Sequence, residues 1–143
     1  MIRVFHIVVL AFVAIAGMTS LSAQAQTTDE ILAKFKKDAK ADMPTFSGFS
    51  PARGEQFFKQ KHGNELSCSS CHTDNPAAAG KHAKTGKAIK PMAPAANAER
   101  FTDPKKVAKW FKRNCNDVLD RACTPQEKGD VLAYLLTVKN QGD

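Results

Sequence analysis

The sequence is poor in the larger aromatics other than Phe. Its 143 residues hold one Trp and one Tyr. Its longest apolar run, from Val8 to Ala16, is short against the roughly 20 residues of a membrane span. No stretch alternates apolar and polar residues as a half-buried strand does, and no segment repeats. Acidic residues are scarce: 14 Asp and Glu stand against 21 Lys and Arg, leaving a formal charge of +7. Only four cysteines occur. Two of them, Cys115 and Cys123, are too far apart to complete a zinc site, which needs a second tightly spaced ligand pair. The βαβ context of a thioredoxin-like redox pair is also missing.

What is present is Cys68-Ser69-Ser70-Cys71-His72. C-x-x-C-H is the attachment signature of a c-type haem. On a short helical turn both thiols face one porphyrin edge, where each can add to a vinyl group. The following imidazole then lies beneath the iron. Cys68 and Cys71 are the expected thioether positions and His72 the expected proximal iron ligand of one covalent haem c.

The N-terminus fits that chemistry. A basic residue at Arg3 precedes the apolar run, and small residues end in Ala23-Gln24-Ala25. This is the pattern of a Sec signal peptide cut after Ala25. The alternative, a membrane anchor, wants a longer run and a charged stop. The expected organisation is a signal peptide over 1–25, a helix and linker over 26–49, and a haem-bearing domain over 50–143. The expected location is the periplasm, where haem is attached to such motifs.

One small domain cannot bury a large core from side chains alone; a haem supplies apolar surface at its centre. With Cys68 and Cys71 assigned to it, Cys115 and Cys123 remain, either as free thiols or, in an oxidising compartment, as a pair. The loop closed by pairing is short and is worth about 2.5–3 kcal/mol in the chain-entropy view.

Loss of Arg3 with the leader lowers the charge from +7 to +6. Lysines cluster around 34–40, 81–90 and 105–113. Nucleic acid is no partner outside the cytoplasm. The basic surface either steers an acidic redox partner or simply solvates the protein.

The periodicity is helical. Thr27-Thr28-Asp29-Glu30 reads as a capping box ahead of Ile31, Leu32 and Phe35. Ser50-Pro51 reads as an N-cap with Pro at N1, opening a helix to about Lys61. The region from Thr73 to Asn97 has no period and reads as loop. Asp103-Pro104 opens a helix that ends near Asn114. Thr124-Pro125-Gln126-Glu127 opens the last, with Val131, Leu132, Leu135 and Leu136 on one face. Gly54 and Phe58, one turn apart, suit a close crossing against Leu135 or Leu136. Terminal helices around a haem-bearing loop make an all-α, class I cytochrome c fold with an extra N-terminal helix.

The sixth iron ligand decides the function. An electron carrier keeps both axial positions filled. The candidates after the motif are Met92, His82, Asn114 and Asn116. Met92 lies close after His72 and suits an apolar contact on the haem face; as a ligand it would make the protein a plain low-spin electron shuttle. His62 and His82 sit among lysines and read as exposed. Asn114 also suits a helix C-terminus. Asn116, Arg113 and Lys87 either border the distal side or stand on the surface.

Lys84-Thr85-Gly86-Lys87-Ala88-Ile89-Lys90-Pro91-Met92-Ala93-Pro94, Arg100-Phe101-Thr102-Asp103, and Arg113-Asn114-Cys115-Asn116-Asp117-Val118 through Cys123-Thr124-Pro125-Gln126-Glu127-Lys128 resemble the sphaeroides haem protein family of class I cytochromes. The likeness runs from about Ser50 to Leu136. It implies His72 as proximal ligand, Asn114 as distal ligand and a Cys115–Cys123 disulfide. The related cytochrome c double-prime type has histidine at the distal position, where this chain has Asn114. The resemblance also implies a dihaem cytochrome c, often associated with a membrane cytochrome b, as electron donor, and O₂, NO or CO as ligands of the reduced iron. A neutral amide oxygen is a hard, weak donor that suits ferric better than ferrous iron. Asn114 is therefore expected to leave on reduction, making the iron high-spin. Turnover of O₂ or NO is an open question, since the sequence marks no general base, substrate pocket or proton relay.

Overall fold

The structure is a computed structural model and describes residues 19–140. The expected signal segment lies largely outside the described residues. Five helices follow in chain order: α1 Thr19–Asp42, α2 Pro51–Lys59, α3 Ser69–His72, α4 Pro104–Leu119 and α5 Pro125–Thr137. Between α3 and α4 lie two short strands, β1 Gly80–Lys81 and β2 Ala88–Ile89, paired antiparallel. Among the described residues no helix is long and apolar enough to cross a membrane.

Local chemistry explains where the helices start. Ser50 Oγ accepts from the Arg53 N–H at 3.3 Å ahead of Pro51. Asp103 accepts from the N–H groups of Lys105 and Lys106 at 2.9 and 3.1 Å ahead of Pro104. Thr124 and Glu127 form a full capping box, with Thr124 N–H donating to the Glu127 carboxylate at 2.8 Å and Glu127 N–H donating to Thr124 Oγ1 at 3.1 Å. Each satisfies N–H groups that a helix start otherwise leaves unpaired.

Two boundaries differ from the sequence reading. α1 does not begin at Thr27; it continues back to Thr19. Nothing in Ser22-Ala23-Gln24-Ala25-Gln26 interrupts a helix, so in the uncut chain the Thr27 box is internal. α4 does not end near Asn114 but runs to Leu119, because Cys115, Val118 and Leu119 extend its buried stripe. Its stop is Asp120, at φ +58, whose N–H bonds to Asn116 O. Asp is among the few non-glycine residues that accept this conformation.

α5 is the spine. α2 and α1 both pack on it. Phe58, Leu132 and Leu135 are fully buried, with Ile31 and Phe35 of α1 in the same cluster. The Phe58 and Tyr134 rings lie 5.7 Å apart. Leu136, expected inside, is 43% exposed. The buried face is centred on Val131 and Leu135, and Tyr134 rather than Leu136 completes it. Phe111 of α4 meets Phe35 edge-on at 5.6 Å, which ties α4 to α1. A second cluster, Cys115, Val118, Leu119 and Cys123, closes the other end of α4.

Candidate functional site

α3 is one turn long, too short to hold itself. Its serines hold it. Ser67 N–H donates to Ser70 Oγ at 2.9 Å, and Ser70 N–H donates to Ser67 Oγ at 3.0 Å. Ser69 Oγ joins at 2.9 Å. This is a reciprocal cap built into the variable positions of C-x-x-C. Its sequence signal is a serine one residue before the first cysteine and another three residues later. His72 closes the turn, and Thr73 at φ +63 ends it.

The turn delivers two thiols and one imidazole. Cys68 and Cys71 form no disulfide. Burial pushes the Cys68 thiol up to about 12, so it stays protonated. Ala83 N–H donates to Cys71 Sγ at 3.3 Å. The His72 imidazole is driven down to about 4, first by burial and then by the nearby Arg100 charge. It is therefore neutral, as a metal-ligating imidazole must be. Its ring lies 6.4 Å from that of Phe58. Among the described residues no side-chain hydrogen bond occupies either ring nitrogen.

The hairpin shields this turn. A side chain on Gly80 would collide with the Cys71 carbonyl, so only glycine lets β1 lie against α3. The loop beyond it returns to the motif. Met92 N–H and Ala93 N–H both donate to Pro76 O, at 2.8 and 2.9 Å. Met92 and Cys68 pack against the main core cluster, the place of an apolar contact. His82 is not a free surface group: its Nδ1 accepts from the N–H groups of Lys84 and Thr85 at 3.2 and 3.3 Å, inside the hairpin turn. His62 Nε2 lies 2.9 Å from Phe57 O. Both were expected exposed; both are half-buried because they hold loops.

Asn114 stands in the middle of α4, half-buried, on the stripe of Val107, Phe111 and Val118. Its amide has no side-chain hydrogen bond among the described residues. No hydrogen bond joins it to His72; the two residues sit on separate elements. Phe111, one turn before Asn114, packs against the cluster that Cys68 and Met92 also touch. The next residue, Cys115, is disulfide-bonded to Cys123 with Cα atoms 5.5 Å apart. Asn64 ties the loop before the motif to this end of α4, its N–H donating to Val118 O at 3.3 Å and its Nδ2 to Asp117 O at 3.1 Å. Asn116, Arg113 and Lys87 are exposed.

Two cysteines outside any disulfide, a neutral imidazole and an apolar surround on one turn are the donor set of a c-type haem. The residues fit the group.

Comparison with known proteins agrees. The family model described as a domain of unknown function, DUF1924, matches residues 44–135. Cytochrome c'' of Methylophilus methylotrophus is 41% identical over 119 residues, covering 80% of this chain and 83% of that protein. Its solution structure, which concerns the structural basis of haem-ligand detachment, matches with a TM-score of 0.70 and 42% identity, covering 79% of this chain and 94% of that one. The structure of oxidised SHP, an oxygen-binding cytochrome c, matches with a TM-score of 0.66 and 37% identity, covering 76% of this chain and 94% of that one. SHP of Cereibacter sphaeroides is 52% identical over 69 residues, which is 48% of this chain and 53% of that protein. The all-α fold is theirs, and the chain belongs to the DUF1924 family, that of the c-type cytochromes cytochrome c'' and SHP.

Proposed function

We propose that this is a periplasmic monohaem cytochrome c whose distal ligand is Asn114, held on the oxidised iron and released on reduction. The haem is bound covalently through Cys68 and Cys71, with His72 below the iron. When bound it supplies the one-electron couple and the site for a diatomic gas.

The observation that carries the reading is the Asn114 amide: half-buried, on the inner stripe of α4, and without a protein hydrogen bond among the described residues. An amide that makes no protein hydrogen bond is free to serve as a ligand to an iron held beneath it. An amide oxygen is a hard donor, favoured by ferric and weakly held by ferrous iron, so Asn114 would hold an oxidised haem iron and would release a reduced one, which would then be open to O₂, NO or CO. Cys115 is the next residue, and its disulfide limits how far this part of α4 moves. The alternative, a closed iron with Met92 as sixth ligand, is less favoured on this reading, since Met92 N–H is bonded to Pro76 O and its side chain packs against the core cluster as an apolar contact.

The electron donor on this reading is an acidic exported protein, a dihaem cytochrome c, often associated with a membrane cytochrome b, or that cytochrome b itself. The basic side chains of α4 support this. Trp110 is 47% exposed, with Lys109 Nζ 5.9 Å and the Arg113 guanidinium 5.6 Å from its ring centre. Steering between opposite charges is screened by salt, so reduction by that donor slows as ionic strength rises; a rate indifferent to salt removes this partner.

Carbon monoxide tests the main reading. The protein is expressed with the haem maturation system and its spectrum is recorded reduced, with and without CO. Rapid formation of a CO adduct is expected. A reduced spectrum indifferent to CO leaves an electron shuttle, and the absence of a haem band removes the cytochrome reading.

A further inference from the structure

Asn114 stands on a border of α4. At about 100° per residue, its neighbours one turn away divide by side. Phe111 and Val118 lie toward the core, Trp110 and Asp117 toward solvent. The core side is closed: Phe111 meets Phe35 edge-on at 5.6 Å and packs against both clusters, and Val118 is buried. The backbone on the Asp117 side is held by the loop before the motif. Asp117 O accepts from Asn64 Nδ2 at 3.1 Å, and Val118 O from Asn64 N–H at 3.3 Å. The apolar neighbour left on the solvent side is Trp110, about 40° round the helix from Asn114.

Trp110 is the one tryptophan of the chain. Tryptophan is highly buried on average, yet this ring is 47% exposed. It is nevertheless held. Lys109 Nζ lies 5.9 Å and the Arg113 guanidinium 5.6 Å from the ring centre, within cation–π reach. Arg113 Nε lies in turn 3.9 Å from Asp117 Oδ2. Asp117, Arg113, Trp110 and Lys109 thus form a strip along the solvent flank of Asn114, from the turn after it to the turn before. Exposed contacts of this kind are individually weak. A ring held by them covers its place and still yields, since exposed side chains change rotamer in picoseconds to nanoseconds.

We propose that Trp110 is a gate: its indole covers the solvent approach to the position Asn114 occupies and selects by size what reaches that position once Asn114 is released. The inference rests on the Asn114 reading above. Arg113 and Lys109 latch the ring, and Asp117 holds Arg113. A diatomic molecule passes with a small displacement of the ring. A branched ligand needs the ring turned out. Trp110 is a specificity-determining residue and takes no part in bond-making.

The test uses the reduced, haem-loaded full chain and two probes, CO and tert-butyl isocyanide, with association rates read by stopped flow. A wild type that binds no CO overturns the open-iron reading and this proposal with it; the outcomes below touch this proposal alone. The wild type takes CO much faster than the isocyanide. Trp110→Ala raises both rates, the isocyanide's more, so the ratio between them falls. Trp110→Phe keeps a ring and most of the discrimination. Arg113→Gln keeps the indole but removes a latch, and raises the rates by about two- to fivefold, which is an exposed cation–π contact converted to a rate. The ferric spectra of all three match the wild type, because Asn114 is untouched. Wild-type rates for both probes in Trp110→Ala overturn the proposal and leave the ring to partner docking alone. An equal rise in both rates with an altered ferric spectrum also overturns it, since that marks a distorted α4. If Trp110→Ala does not mature, the wild type and Arg113→Gln decide: a wild type that takes both probes at similar rates has no gate.

Discussion

Gly54 of α2 lies directly against the main-chain carbonyl of Asp130 in α5. A side chain there would meet Asp130 O and then Tyr134 Cβ. The pair sets the α2–α5 crossing, and the crossing places Phe58 against both Tyr134 and His72. The Asp130 carboxylate reinforces it, accepting from Ser50 N–H at 2.7 Å and from Arg53 Nε at 2.8 Å. Gly54→Ala should therefore cost about 1–3 kcal/mol, the usual range for overpacking a tight contact. Urea unfolding of the haem-loaded protein reads this directly; an unchanged midpoint would show that the crossing has slack.

Gly54 and Phe58 were legible as a crossing because one-turn spacing is a local property. So were the Ser50, Asp103 and Thr124 helix starts, since a cap needs only its own next few residues. C-x-x-C-H was legible because attachment chemistry dictates its spacing. What escaped depends on distant contacts. The β1–β2 hairpin is too short to show alternation and rests on Cys71 through Gly80 and Ala83. The extension of α4 past Asn114 follows from burial of Cys115, Val118 and Leu119. The solvent flank of Asn114 depends on which side of α4 the core takes, and that is set by Phe35 and Asn64, far away in sequence.

Glu127 predicts a pH dependence. Burial pushes its carboxyl up, but the Arg121 ion pair and the Thr124 N–H outweigh burial, and the net shift is downward. A carboxylate with a lowered folded-state value stabilises the protein above the ordinary carboxylate range, and that stability is lost as pH falls through it. Glu127→Gln keeps the capping geometry but loses the Arg121 pair, whose side chain is 51% exposed. The expected loss is about 0.5–1 kcal/mol near pH 7, shrinking toward zero by about pH 3. Urea midpoints for both proteins across that range check it. A gap that persists at low pH assigns the loss to something other than the charge.

The Cys115–Cys123 bond closes a short loop, with a sequence separation of 8. Replacing both cysteines with serine should lower stability by about 2.5 kcal/mol. The pair also joins the end of α4 to the start of α5, so its loss loosens the segment that carries Asn114. Gas binding to the reduced protein should then quicken while the haem stays attached. Stopped-flow CO binding to the doubly substituted protein measures this; an unchanged rate would separate the disulfide from the ligand's motion.

Asn114 offers the sharpest substitution. Alanine removes the amide from a half-buried position where nothing among the described residues hydrogen-bonds to it, so the protein loses little stability, within about 1 kcal/mol. With Asn114 as the proposed sixth ligand, a ferric iron would by contrast lose it and take water or none. The oxidised spectrum of Asn114→Ala should shift toward a high-spin form, while the reduced spectrum, in which the proposed ligand would already be off the iron, should stay as in the wild type. That asymmetry between oxidation states separates a redox-linked ligand from a merely structural asparagine. A ferric spectrum untouched by the substitution would take Asn114 off the iron, and with it the opening step.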